Sequence, residues 1–366
     1  MEKAKKRLTN FDLLKVVCSV MVVCLQYLDA GGLLAKTELT DYNYYIVWFV
    51  HFLCLAGVNC LVLCTGYFLN ENLFKPARLI YFWIQIFVTN AIFAVLMGAL
   101  GFYEFTPEQA LAVLFPVTSN LYWYMTAYFI LCIISPFLLW VVDKLGAKQL
   151  KSVCYTLVLL FAVIPWDWAK LNSARHFMWF VVLFFVSAYI KKADLFKKRV
   201  RVYIGRYLFL TLIALVIKLM FASMFNNSFI TKAVDFSSLN FVFVFFASLM
   251  LFAAFKNIRI KNKKLGGAAT FLSSLILGVY LFSYNVYFSG WFWGKGVAPL
   301  DYLNSPLLVL HMIGCVFAVF FISAFLEYFR MLVFKLLNVP SACDKLAHKA
   351  HEIGQKINKS NFIEKL

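Results

Sequence analysis

Lys15 and Gln26 are polar residues inside the first long apolar run, FDLLKVVCSVMVVCLQYLDAGG, residues 11–32. Eleven positions separate them, close to three helical turns, so both project from one helix face roughly 16 Å apart along the axis. An ammonium at one end of such a face can meet anionic oxygens. An amide at the other end can orient a hydroxyl or a carbonyl, but it has no proton that titrates near neutrality. Taken alone, Lys15 reads as a lysine that keeps its stem in the apolar layer and its charge at the headgroups. Taken alone, Gln26 reads as an interhelical hydrogen bond. Asp12, three residues before Lys15, can pair with it on the same face. Three histidines offer a titratable base elsewhere: His51 in VWFVHFLCLAG and His311 in LLVLHMIGC, both read at mid-helix height, and His176 beside Arg175. For each, a ring packed among aromatics is the commoner situation. Cys18 and Cys24 on the first run could carry an acyl group, but a buried thiol without a positive partner is inert.

The elements that must position these groups follow from composition. The chain has 366 residues, of which 63% are hydrophobic and 14% charged. No soluble domain of that size hides so much apolar surface, and the runs are about 20 residues long without alternation, which predicts spanning helices over a barrel. The formal charge of +18 would suggest nucleic acid in a soluble protein; here the bases lie between apolar runs and mark loops, so no nucleic-acid partner is expected. No cleavable leader is read, because the first run is full length. The nine cysteines are scattered, with no CxxC pair or Cys/His cluster at metal spacing, so neither a disulfide framework nor a metal site is expected.

Apolar runs predict an all-α integral membrane protein of about ten spans, near 11–30, 44–68, 79–101, 120–142, 149–165, 174–190, 203–224, 238–255, 269–290 and 306–336. Basic residues alternate between the loops. Lys3, Lys5, Lys6 and Arg7, then Lys75 with Arg78, Lys144 with Lys148 and Lys151, Lys191 to Arg201, and KNIRIKNKK at 256–264 fall on one side. The other side holds only Lys36, Lys170, Arg175, Lys232 and Lys295. Both termini are therefore expected to be cytoplasmic. The stretch PEQALAVLFPVTSN (107–120) is too short to span and is expected at the interface, with a dip beside a cavity as the alternative. FSGWFWGKG (288–296) reads as part of an outer aromatic belt. The division is a membrane domain over 1–338 and a tail over 339–366, where Leu346, Ala350, Ile353 and Ile357 recur at helical spacing among lysines. That describes an amphipathic helix on the inner leaflet or a partly disordered cytoplasmic segment.

Four stretches carry a family likeness in order: the opening run, VNCLVLCTGYFLNENLFK (58–75), LYWYMTAYFILCIISPFL (121–138) and GVYLFSYNVYF (278–288). The layout, from about Leu8 to Lys335, resembles the acyltransferase-3 family of ten-helix membrane acyltransferases that modify surface polysaccharides. In that family the first helix carries an Arg and a His, matched here by Lys15 and Gln26, and a further His in the ninth helix is matched by Ser283. The resemblance implies transfer of an acyl group, acetyl being expected, from cytoplasmic acyl-CoA to an outward-facing sugar hydroxyl. Lys15 with Asp12 would then face the coenzyme A phosphates, though Lys15 lacks the bidentate fork of Arg. Gln26 and Ser283 would stand where the family places histidine, whose near-neutral pKa suits general-base work. Tyr122, Trp123 and Tyr124 would wall the substrate site, or else form an interfacial belt. Thr65-Gly66-Tyr67 resembles the family's Ser-Gly-Tyr step, where Gly permits close helix approach. Glu327 with Arg330 reads as a pair at the inner end of the last span, and Lys218 as a further intramembrane charge.

The partners implied are membrane lipid, acyl-CoA and a surface polysaccharide or its lipid-linked precursor, in a bacterial cytoplasmic (inner) membrane. Because both histidine positions are substituted, a non-catalytic family member that binds sugar or the acylation machinery is the rival reading. A polysaccharide transporter ranks last, since no paired repeats or Gly/Pro-broken spans are visible.

Overall fold

A computed structural model describes residues 8–68, 74–102, 104, 106–163, 172–224 and 237–359. The side chains of 172–176, 222, 224 and 354–359 are outside that description, and with them Arg175, His176 and Ile357. Lys3, Lys5, Lys6, Arg7, Lys170, Lys232 and residues 360–366 also lie outside it.

All regular secondary structure among the described residues is helical, as uninterrupted apolar runs with their backbone bonds closed internally require in lipid. The helices are α1 (Thr9–Asp29), α2 (Leu33–Lys36), α3 (Tyr44–Phe68), α4 (Pro76–Ala99), α5 (Pro107–Leu114), α6 (Trp123–Lys144) and α7 (Ala147–Val158). They continue as α8 (Asn172–Lys192), α9 (Val200–Met224), α10 (Val242–Asn257), α11 (Lys263–Ser273) and α12 (Ile276–Ser283). The last three are the short α13 (Ser289–Trp291), then α14 (Leu308–Leu336) and α15 (Val339–Lys359). Six of them are long and apolar enough to cross a membrane: α1, α3, α4, α6, α14 and the Val200–Phe221 stretch of α9. The pair α11 and α12 makes a seventh if counted as one bent span.

Burial separates an inner pair from an outer ring. In α1 and α3, 67% and 72% of the most apolar window is buried, against 28% in α4 and 22% in α9. α1 packs on α3, α10, α11, α12 and α14, so it is the axis of the bundle. A polar residue midway along it therefore meets protein, whichever face it occupies. α3 packs on α8 at Gly66, where any Cβ would collide with the Ser187 side chain and the Phe184 backbone. This is the close approach expected of the Thr65-Gly66-Tyr67 step.

The run 269–290 is not one straight span. It breaks between α11 and α12 with a bend of 48°. Ser273 and Ser274 hydroxyls donate to the carbonyls of Thr270 and Phe271, diverting acceptors from the helical ladder, which is a recognised cause of kinks. Within the 107–120 stretch, Pro107–Leu114 forms α5, capped by a reciprocal Thr106–Gln109 box and without a buried residue, while Val117 beyond it is buried against Tyr122 and Ile86. α15 packs against α4 and buries Cys343, while Leu346 and Ile353 stay exposed. The aromatic segment after α12 departs from the expected belt: Trp293 is fully buried and its Nε1–H donates to the Ser283 carbonyl at 3.1 Å. It is a core residue because that helix-end carbonyl needs a donor.

Candidate functional site

The buried stripe of α4 reads Gln85, Ile86, Thr89, Asn90, Ala94 and Met97. Those spacings mark one helix face. α4 is thus apolar where it meets lipid and polar where it meets protein, which hydropathy along the run conceals. The stripe faces α12 and the start of α6. Here Asn285, just past the end of α12, donates from Nδ2 to the Tyr122 hydroxyl at 2.8 Å, and that hydroxyl donates to Asn90 Oδ1 at 3.4 Å. Asn285 Oδ1 also accepts the Tyr287 backbone N–H, a short side-chain turn that halts the chain at this depth.

Tyrosines line the way from this polar end towards the far end of the bundle. Tyr284 stacks on Tyr280 with centroids 5.2 Å apart, and Tyr280 lies 6.2 Å from Tyr122 and 5.8 Å from Tyr124. Tyr124 in turn stacks on Tyr128 at 6.3 Å. Tyr128 joins Arg78, Leu79, Phe82 and Cys132 around a pocket of about 50 Å³. Trp123 lies against the Tyr284 hydroxyl. Tyr122 is 1% exposed, which rules out an interfacial belt for that residue.

Gln26 belongs to this polar end. Val22, one turn earlier on α1, packs into the cluster of Ile86, Tyr122 and Tyr280. Asp29, nearly one turn later, is close enough to act electrostatically on Tyr284. Gln26 lies between them on the same stripe by the helical period. It is 4% exposed, and neither its Nε2 nor its Oε1 has a hydrogen-bond partner. Thr89 Oγ1 and Asn90 Nδ2 are likewise buried without one. Ser283 is also buried, but its hydroxyl donates to the Val279 carbonyl one turn back. It is satisfied inside its own helix.

Near the other end of α1, Lys15 is half-buried with its Nζ 5.8 Å from the centre of the Phe68 ring. Lys191 comes to the same corner, donating to the Phe68 carbonyl at 3.3 Å. Asp12 is buried and accepts from Thr270 Oγ1 at 3.0 Å, a tie between α1 and α11. The basic residue at the pocket is Arg78.

His51 and His311 have partners of their own. His311 sits in the first turn of α14, not at mid-helix height. Its Nδ1 pairs with the Tyr27 hydroxyl at 2.8 Å, its Nε2 lies 3.4 Å from Cys315 Sγ, and its ring stacks on Tyr302 at 3.9 Å. With both nitrogens engaged it is packed as a structural ring. His51 is buried against Trp48 and Phe52. The Glu327–Arg330 pair is bidentate and buried, with Nε to Oε2 at 2.8 Å and Nη2 to Oε1 at 2.6 Å, and Gln85 Nε2 adds a third donor at 3.0 Å.

Gln85, Thr89, Asn90, Asn285, Tyr280 and Tyr284 are absent from the candidates read from sequence. A signal for the first three was present: three hydrogen-bonding side chains at i, i+4 and i+5 within an apolar span. A sequence model described as an acyltransferase domain matches residues 8–328. No curated protein and no solved structure matches the chain.

Proposed function

The chain belongs to the acyltransferase-3 family, and on that premise we propose that it moves an acyl group from acyl-CoA to a hydroxyl of a surface polysaccharide or its lipid-linked precursor. Acetyl is the group proposed, and turnover is held down by the substituted histidine positions. In this reading the ten apolar runs cross a bacterial inner membrane with both termini in the cytoplasm. Gln26 then lies at the outer, acceptor end. Coenzyme A phosphates meet the basic inner end, where Lys15 and Lys191 share a corner at Phe68 and Arg78 lines the pocket, with Asp12 tying α1 in place. The tyrosine ladder from Tyr128 to Tyr284 is the passage between them.

The observation that carries this reading is the orphaned amide of Gln26. A buried polar group without a partner costs about 1–3 kcal/mol, and such groups mark places where something else is bound. The Gln26 Oε1 can accept from an acceptor hydroxyl, and its Nε2–H can donate to the thioester carbonyl as that oxygen gains charge. The hydroxyl oxygen bonds to the acyl carbon, the carbon–sulfur bond breaks, and the hydroxyl proton ends on the departing coenzyme A thiolate. Gln26 cannot take that proton on the way. General-base assistance is typically worth about 10² to 10⁴ in rate, so transfer is slow.

A non-catalytic role has its own support, because Ser283 has its hydroxyl committed to its own helix. One experiment separates the readings: acetate incorporation into surface polysaccharide in cells lacking their own transferase, with Gln26→His alone and with Ser283→His. Transfer well above the starting protein is expected. Robust transfer by the unaltered protein, undiminished in Gln26→Ala, would show that another residue does the work. No transfer by any histidine variant that folds would favour the non-catalytic role.

A further inference from the structure

At the end of the bundle that holds Gln26, the seam between α3 and α9 contains a lysine that pairs with no carboxylate among the described residues. Lys218 Nζ lies 3.4 Å from the centre of the Trp48 ring and 5.7 Å from that of Tyr44, and it donates to the Tyr44 hydroxyl at 3.4 Å. Among the described residues no Asp or Glu forms an ion pair with it. Charges at this depth are rare, and they pair with something when they occur. The aromatic faces supply part of that stabilisation, but they accept no hydrogen bond in the way an oxygen does.

Two more donors stand beside it. Trp48 is 9% and His51 6% exposed, and their rings are 5.5 Å apart. Neither the Trp48 Nε1–H nor either ring nitrogen of His51 makes a hydrogen bond of good geometry, although the Ser237 backbone lies beside His51. The seam thus collects an ammonium, an indole N–H and an imidazole against the Tyr44 hydroxyl and the Ser237 backbone. Such an excess of buried donors is completed by an anion, whose charge-assisted hydrogen bonds are the strong kind.

The surroundings say how that anion arrives. Ala214, Leu215 and Thr211 seal the seam on the deep side of Lys218. Beside it on the same two helices, Tyr45, Ile46 and Met220 are exposed. Exposed apolar side chains beside the seam suit a molecule that brings its own acyl chains, and a water-soluble anion gains nothing from them. We propose that this seam binds the phosphate of a lipid headgroup, with Lys218 as its charge partner and Trp48 and His51 as its hydrogen-bond donors. The phosphate is that of an ordinary anionic phospholipid or of a lipid-linked sugar, and these share the chemistry that the seam reads. The proposal is independent of acyl transfer, because it concerns occupancy alone.

The test is lipid retention by the purified full chain in detergent, read by native mass spectrometry. Phosphatidylglycerol is compared with a phosphate-free diglucosyl diacylglycerol and with glycerol 3-phosphate as a soluble phosphate, and a polyprenyl phosphate sugar is run alongside. The expected result is one tightly held phosphatidylglycerol whose apparent affinity falls at least tenfold in Lys218→Met and persists in Lys218→Arg. The glycolipid should not replace it. Preferential retention of the polyprenyl phosphate would support the site and name the lipid-linked sugar as its source. Equal retention by Lys218→Met, equal binding of the glycolipid, or displacement by glycerol 3-phosphate at matched concentration would each overturn the proposal. Trp48→Phe removes one donor while keeping a ring for Lys218. It should weaken retention by a smaller factor, which keeps the test decisive if Lys218→Met does not fold.

Discussion

Two buried polar clusters lie on the α4 face, about one turn apart, and they are built on opposite terms. In the first, the Glu327 carboxylate accepts from Arg330 twice and from Gln85 once. Arg330 also stacks on Phe334 at 4.4 Å, leaving its Nη1 as the atom without a partner. In the second, Gln26 has neither amide atom engaged, and Thr89 and Asn90 each bury an unused group. Lipid offers no water to relieve either cluster. The first cluster has its carboxylate fully engaged and locks helices together, with Arg330 Nη1 as its one open donor. The second destabilises the protein as it stands and leaves several groups open to a ligand. Charge pairing of the carboxylate, rather than polarity or depth, is what distinguishes the two clusters on this face.

The comparison is broken most forcefully at Glu327. Glu327→Ala strands the Arg330 charge in the bundle, and removing one partner of a buried pair typically costs about 3–5 kcal/mol. Expression should collapse, or the unfolding midpoint of the purified protein should fall steeply. A variant that melts with the starting protein would show that this pair is not a structural lock. Gly278 offers a smaller blow at the same point, because a Cβ there would meet the Glu327 side chain. Glu327 is held by three hydrogen bonds and cannot swing away, so Gly278→Ala should cost about 1–3 kcal/mol by overpacking. In a Glu327→Ala background the same change should cost almost nothing, since the two effects share one cause. Additive losses in unfolding midpoint would contradict that account.

Asn90 probes the second cluster. Its Nδ2 is already without a partner, and its Oδ1 receives only a long bond from Tyr122, which keeps its shorter one from Asn285. Asn90→Leu should therefore leave the melting midpoint nearly where it was, within about 1 kcal/mol. Acetate transfer in a Gln26→His background should drop by tenfold or more if this end holds the acceptor. A variant that loses stability and keeps transfer would reverse the assignment of the two clusters.

How much of this was legible in the sequence depends on whether a signal survives averaging along a span. Lys15 and Gln26 stand out because α1 is mostly apolar, and their common stripe follows from the helical period. The Glu327–Arg330 pair is readable because i and i+3 meet on any helix. The polar stripe of α4 is not, because Gln85, Thr89 and Asn90 are diluted by Ile, Phe and Val in a run whose mean remains strongly apolar. The break at Ser273 and Ser274 is hidden for a related reason: two serines barely lower hydropathy, yet their hydroxyls divert two carbonyls. Trp293 misleads in the other direction. An aromatic segment after a span suggests an interface, and only the need of the Ser283 carbonyl for a donor reveals why that ring turns inward.

The mildest effect is expected at an engaged carboxylate that water can reach. Asp41, between α2 and α3, accepts from the Glu38 backbone at 2.7 Å and from Asn304 Nδ2 at 3.0 Å. Asn304 Oδ1 takes the Tyr42 N–H in return, and Asn43 holds the carbonyls of Leu303 and Ser305. The clasp ties the connection after α1 to the turn before α14. The Glu38 N–H, then Asn304, hold the Asp41 carboxyl below the usual aspartate range. A carboxyl depressed in the folded protein adds stability above its unfolded pKa and loses it as pH falls through the lowered folded value. The protection factor of the Glu38 amide should therefore stay constant from neutrality down to the ordinary aspartate range, then fall as pH drops from there through the lowered folded value and the clasp opens. Asp41→Asn should remove that pH dependence while leaving acyl transfer in the Gln26→His background unchanged, since the carboxylate is already engaged by protein donors. If Asp41→Asn abolished transfer as Asn90→Leu is expected to reduce it, engagement of the carboxylate would fail as the criterion that separates the two kinds of polar cluster.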